Sequence, residues 1–183
     1  MKKILILIMI TAMLFVTACA KKNDVIVDPP NNVPENALNN EEEKVTKEEP
    51  VMAPDFELED LEGNMVKLSS LQGRKVIINF WATWCGFCVE EMPDLMKLQE
   101  EYKDDLVVLY VNVGESKEDV LKFVEKEKIT GTILLDTKQQ VAATYGVRNF
   151  PSTIALNEKG EVVTGRVGKL EYEMMVQMYE MIK

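Results

Sequence analysis

Cys85 and Cys88 are separated only by Gly86 and Phe87, in a chain with one other cysteine. An apolar run, Val76-Ile77-Ile78-Asn79-Phe80-Trp81, leads into them, and a helical pattern begins near Val89-Glu90-Glu91. Two thiols one turn apart at a strand-to-helix junction have the arrangement for disulfide exchange. The junction matters because only a thiolate is a good nucleophile. A helix N-terminus stabilises it through unpaired N–H groups and the positive end of the helix dipole. On this reading Cys85, at the helix start and partly exposed, attacks a disulfide, and Cys88 resolves the mixed disulfide. Half of a zinc knuckle would need a second Cys or His pair, which the sequence does not contain.

The third cysteine belongs to a different kind of segment. Met1-Lys2-Lys3 is a basic start, and Ile4 to Val16 is apolar. That stretch is short of the roughly 20 residues of a membrane span and suits the core of a secretory signal. It ends in Val16-Thr17-Ala18-Cys19, which resembles the bacterial lipobox. The resemblance implies cleavage before Cys19 and a diacylglycerol on its thiol. Residues 1–18 are therefore expected to be a lipoprotein signal peptide. Residues 19–50 hold Pro29-Pro30, Asn31-Asn32, Asn39-Asn40 and Glu41-Glu42-Glu43 with no sustained apolar period. Such a composition cannot bury enough surface to order itself, and it reads as an acidic, disordered tether.

With Cys19 lipidated, no structural disulfide framework remains and the other two thiols are expected to cycle. The chain has no histidine. That excludes a Cys-His dyad, a mixed Cys/His zinc site and haem ligation by histidine. It also removes the usual acid–base group near neutral pH, so a carboxylate or water must move protons. The formal net charge is −10 and no basic patch survives in the mature chain, which argues against nucleic acid as a partner. The acidic surface suits basic or neutral protein clients, but a solvated face explains it better.

The elements that must hold the cysteines fall within residues 51–183, a normal size for one core. Phe56 to Glu59 and Met65 to Leu68 alternate around a turn and predict a hairpin. Val76 to Trp81 and Leu106 to Val113 read as buried strands, with a helix from Gly86 to about Tyr102 between them. Ser116 caps a helix running to about Lys128. Ile133 to Leu135 predicts a short strand, and Gln139 to Tyr145 a short helix closed by Gly146. Ser152 to Leu156 and Glu161 to Val167 form a second hairpin. Leu170 to Ile182 closes the chain as a helix with Leu170, Met174, Met178 and Ile182 on its inner stripe. Its methionines are better accounted for by packing than by copper.

Phe80-Trp81-Ala82-Thr83-Trp84-Cys85-Gly86-Phe87-Cys88 resembles the active-site motif of the thioredoxin superfamily. Val111-Asn112-Val113-Gly114-Glu115-Ser116 and the segment around Leu135-Asp136-Thr137 are similar to its membrane-tethered ResA/TlpA-like branch, which is associated with cytochrome c maturation. The resemblance implies an α/β, thioredoxin-like fold. Its central mixed β-sheet is flanked by helices, with an N-terminal β-hairpin and an inserted strand and helix. Phe150-Pro151-Ser152-Thr153 matches the cis-proline loop of the family. A cis bond there implies a Phe150 backbone free to pair with an extended client, and a Pro151 ring that keeps metals from the thiols. Glu91, three residues after Cys88, implies a cavity carboxylate that tunes the thiols and carries the Cys88 proton. Trp84 and Phe87 are expected to meet clients, and Trp81 to lie in the core. Two positions depart from thioredoxin: Asn79 stands in place of its buried aspartate, and Gly86-Phe87 lacks the usual proline.

These readings converge on a thiol–disulfide oxidoreductase on the outer face of a bacterial membrane, held there by the lipid on Cys19. It is expected to be a monomer that needs no cofactor beyond the redox-active Cys85–Cys88 disulfide. Its clients would be exported proteins of the apocytochrome c kind, and its electrons would come from an integral-membrane donor. Three alternatives keep the same residues: a disulfide donor, an isomerase, or the reductant of a secreted methionine sulfoxide reductase or peroxidase. A copper metallochaperone would use a longer cysteine spacing and a histidine. Peroxiredoxin-like chemistry needs a Thr-x-x-Cys approach and a nearby arginine. A binding lipoprotein without catalysis is the last alternative.

Overall fold

The computed structural model describes residues 49–183, so the signal, Cys19 and nearly all of the tether lie outside the described residues. Two short strands open the domain, β1 (Glu57–Glu59) and β2 (Met65–Lys67), paired antiparallel as a hairpin. A 3₁₀ turn at Leu68–Leu71 leads to β3 (Lys75–Trp81), every residue of which is buried. The continuous apolar run explains this, because a central strand is covered on both faces. Its single charge, Lys75, donates to both carboxylate oxygens of Asp105 at 2.8 and 2.6 Å.

Helix α1 (Gly86–Glu101) follows, with Pro93 inside it, and then β4 (Leu106–Val113). Next comes α2 (Lys117–Glu127), where the Ser116 hydroxyl accepts from the Asp119 N–H at 3.2 Å. Glu118 and Asp119 sit in its first turn, where the helix dipole favours acidic groups. Strand β5 (Thr132–Asp136) and the short α3 (Gln140–Thr144) come next. Strands β6 (Ser152–Leu156) and β7 (Val162–Val167) and helix α4 (Tyr172–Met181) complete the chain.

The main sheet has the order β5-β4-β3-β6-β7. β3 runs parallel to β4, and β4 to β5, whereas β6 pairs antiparallel with both β3 and β7. The sheet is therefore mixed. Side chains alternate across it: Ile77, Trp81, Val108 and Tyr110 pack under α1, α2 and α4. Val76, Ile78, Phe80, Leu109 and Val111 face α3 and the hairpin. Trp81 is fully buried, as expected.

Two expectations need correction. The final helix starts at Tyr172, with Glu171 at its cap position, so Leu170 precedes it. That start shifts the inner stripe to Met175, Met178, Tyr179 and Ile182, and leaves Met174 39% exposed. Strand β7 begins at Val162, because Glu161 instead forms an isolated bridge with Met52. Among the described residues, no helix is long and apolar enough to cross a membrane.

Candidate active site

β3 ends at Trp81, and the chain turns through Ala82 to Cys85, where the Cys85 N–H donates to the Ala82 carbonyl at 3.1 Å. Cys85 is the N-cap of α1, and its sulfur accepts from the Cys88 N–H at 3.2 Å. The two sulfurs form a disulfide across three residues. No acidic side chain lies in the first turn of α1 to oppose the dipole there. Cys88 is fully buried and Cys85 keeps 7% of its surface. Cys85 is thus less open than the partly exposed thiol expected, because its sulfur is bonded to one held in the core. It is still the more accessible of the two.

Three residues on from Cys88 along the same helix, Glu91 is fully buried. One of its oxygens accepts from Asn79 Nδ2 at 2.8 Å and the other from the Leu170 N–H at 2.8 Å. Asn79 also donates to Thr153 Oγ1 at 3.0 Å, tying β3, α1 and β6 together. The Asn79 Oδ1 is buried without a partner. Burial pushes the Glu91 carboxyl up to about 7, against the opposing pull of the Leu170 and Asn79 hydrogen bonds and the charge of Lys169. Its neighbour Glu90 is exposed and pairs with Lys169 at 3.2 Å.

The Phe150–Pro151 bond is cis. The Pro151 carbonyl accepts from the Gly168 N–H at 2.8 Å, and the Ser152 hydroxyl donates to the Asn149 carbonyl at 2.7 Å. Phe150 is half-buried and its ring meets the edge of Trp84 at 5.8 Å. Trp84 is 71% exposed and Phe87 64% exposed. These two large apolar side chains stand in water next to the disulfide rather than in the core. Cys85, Cys88, Glu91, Trp84, Phe87, Phe150 and Pro151 all belong to one end of the sheet or the segments leaving it, while Cys19 lies outside the described residues.

Residues 51–165 match the model of the AhpC/TSA family. The chain belongs to that family, and its fold is thioredoxin-like. It is 39% identical over 132 residues to the thiol-disulfide oxidoreductase ResA of Halalkalibacterium halodurans, spanning 72% of this chain and 75% of that one. It is 40% identical to the thioredoxin-like protein YneN of Bacillus subtilis, over 70% of this chain and 77% of that one. Among solved structures it is similar to the pneumococcal exposed lipoprotein thioredoxin Etrx1 of Streptococcus pneumoniae, at 30% identity and a TM-score of 0.64. That match covers 69% of this chain and 99% of that one. StoA from Bacillus subtilis matches at 26% identity and a TM-score of 0.62, covering 71% of this chain and 99% of that one. These relationships make the chain a thiol–disulfide oxidoreductase acting on protein substrates.

Sequence reasoning singled out Asn79 without its partners, and it missed the Leu170 N–H and Thr153. The Leu170 N–H was invisible because any residue supplies one. Thr153 and Asn79 meet only through the pairing of β6 with β3, where the two are register partners. Alternation along Val76 to Trp81 offered a signal, since it puts Asn79 on the same face as Trp81.

Proposed function

We propose that this oxidoreductase works outside the cytoplasm as a lipid-anchored reductant of disulfides in exported proteins, including apocytochrome c. The observation that carries the reading is the Cys85–Cys88 disulfide at the N-terminus of α1, with Cys85 the more exposed sulfur. In the reduced protein the Cys85 thiolate attacks a client disulfide. A bond forms between Cys85 and one client sulfur, and the other client sulfur leaves as a thiolate. Cys88 then gives its proton to the Glu91 carboxylate and attacks Cys85. The Cys85–Cys88 disulfide forms, and the second client sulfur departs with the remaining electron pair. The client gains two electrons and the protein loses two. A membrane-embedded dithiol donor restores the thiols, since cytoplasmic reductants do not cross the membrane.

Glu91 suits this role because a group titrating at about 7 both accepts and returns a proton near neutral pH. Trp84, Phe87 and Phe150 supply the contact surface for the client, and Pro151 orients the loop beside the sulfurs. No cofactor is needed, because the reduced Cys85/Cys88 dithiol itself carries the two electrons. A monomer suffices for every step. Similarity to an exposed lipoprotein thioredoxin supports the anchoring through Cys19.

The test is the reduction potential of the full chain against a dithiol buffer. A value at or below about −230 mV supports the reductase, while one above about −160 mV overturns it in favour of a disulfide donor.

A further inference from the structure

Glu115 plays no part in the chemistry above, yet its carboxylate reaches the turn that delivers Cys85. One oxygen accepts from the Thr83 backbone N–H at 2.7 Å and from Asn112 Nδ2 at 2.7 Å. The other accepts from the Thr83 hydroxyl at 2.5 Å. Thr83 is the second residue of the Ala82–Cys85 turn, so both hydrogen-bond donors of one turn residue are gripped by one side chain. Glu115 is itself rooted on three sides. Asn112, on β4, is the register partner of Trp81. Gly114, with φ of 80°, turns the chain out of β4, and Ser116 caps α2.

We propose that Glu115 is a positioning residue for the redox turn. Its carboxylate holds the Thr83 peptide in the orientation that places Cys85 at the N-terminus of α1 and Trp84 over Phe150. Two oxygens on two donors of one residue fix direction as well as distance, as a single contact does not. The free ends of β3 and β4 would otherwise leave Ala82 to Trp84 to find their own conformation. A small displacement of an attacking atom is costly to rate, so a clamp outside the chemistry governs it.

The inference rests on Cys85 being the attacking thiol, and a Cys85→Ser control separates the two. The full chain is assayed for kcat/KM with an oxidised peptide disulfide, and its fold is monitored by circular dichroism. Glu115→Ala is expected to lose about tenfold or more in kcat/KM. Glu115→Gln keeps an oxygen for the Thr83 N–H and Asn112, and its amide donates to the Thr83 hydroxyl. It is therefore expected to stay within about threefold of the wild type. Thr83→Ala deletes one of the three contacts and leaves Glu115 in place, so it tests the clamp even if Glu115→Ala does not fold. It is expected to fall about threefold to fivefold.

A Glu115→Ala protein that folds and turns over at the wild-type rate overturns the proposal. So does an equal loss in Glu115→Ala and Glu115→Gln, which would assign the effect to charge. An undiminished rate in Thr83→Ala, should Glu115→Ala fail to fold, also overturns it. Activity surviving in Cys85→Ser would sink the nucleophile assignment beneath it.

Discussion

Replacing Glu91 with glutamine removes a buried group that titrates at about 7 instead of its ordinary 4.5. The folded chain keeps the Glu91 proton across that interval, whereas the unfolded chain has already released it. Stability must therefore fall as pH rises between 4.5 and about 7. The contribution is fully present below 4.5 and lost above about 7. A tenfold change in proton affinity is worth about 1.4 kcal/mol, so the whole interval amounts to about 3 kcal/mol. The burial behind this is complete by surface area, so solvent screening does not erode it. Glutamine stays neutral throughout. Its oxygen can keep the Leu170 N–H, and a flip of Asn79 would turn the unpartnered Oδ1 toward its amide. Any fixed difference in contacts cancels when the variant is compared with the wild type at several pH values.

The assay is urea denaturation of both oxidised proteins from pH 4.5 to 8. The stability of Glu91→Gln relative to the wild type is expected to rise by about 3 kcal/mol across that range. Asp55, Asp60 and Asp105 are held below the usual carboxylate range by hydrogen bonds and nearby lysines or backbone N–H groups. Their contributions have the opposite sign, are lost only at lower pH, and occur in both proteins. A difference that stays constant from pH 4.5 to 8 would refute the reasoning, because it would mean that Glu91 ionises inside the fold as freely as outside it.

Two further outcomes follow from geometry. Asp136 is buried and accepts from the Gln140 N–H at 2.9 Å and the Ala142 N–H at 2.8 Å, holding the start of α3. Asp136→Ala is expected to cost about 2–4 kcal/mol in chemical denaturation, since it strands two donors. Trp84→Ala is expected to lower kcat/KM for a protein client while shifting stability by less than about 1 kcal/mol, because the ring stands largely in water. A large loss of stability would place that ring in the core instead.

What the chain reveals on reading and what it withholds divide along contact range. β3 and the start of α1 are declared locally, by an unbroken apolar run and by a cysteine pair at a junction. The capping of α2 by Ser116 is equally local, three residues from its target. The phase of α4 was not, because Leu170 continues the apolar period while Glu171 sets the actual start, moving Met175 inward and Met174 outward. The grip of Glu115 on Thr83 spans 32 positions, and that of Glu91 on Leu170 spans 79. No periodicity encodes such bonds. They appear only after the sheet has set β3 beside β4 and α4 has packed against α1.

Burying a carboxylate three residues beyond Cys88 is expensive for the fold at neutral pH, and the chain offers a chemical reason to retain it. With no histidine anywhere in the sequence, nothing titrates near 7 by default. Asn79, where thioredoxin carries an acid, donates rather than accepts toward Glu91 and cannot take a proton. Desolvation raises Glu91 into the vacant range, and two hydrogen bonds keep it from rising further. The same burial that destabilises the ionised form thus creates the base that the proposed resolution step requires. The pH dependence of stability and that of exchange should accordingly share an inflection near 7, and Glu91→Gln should remove that inflection from both, leaving only thiol ionisation to shape the pH dependence of exchange.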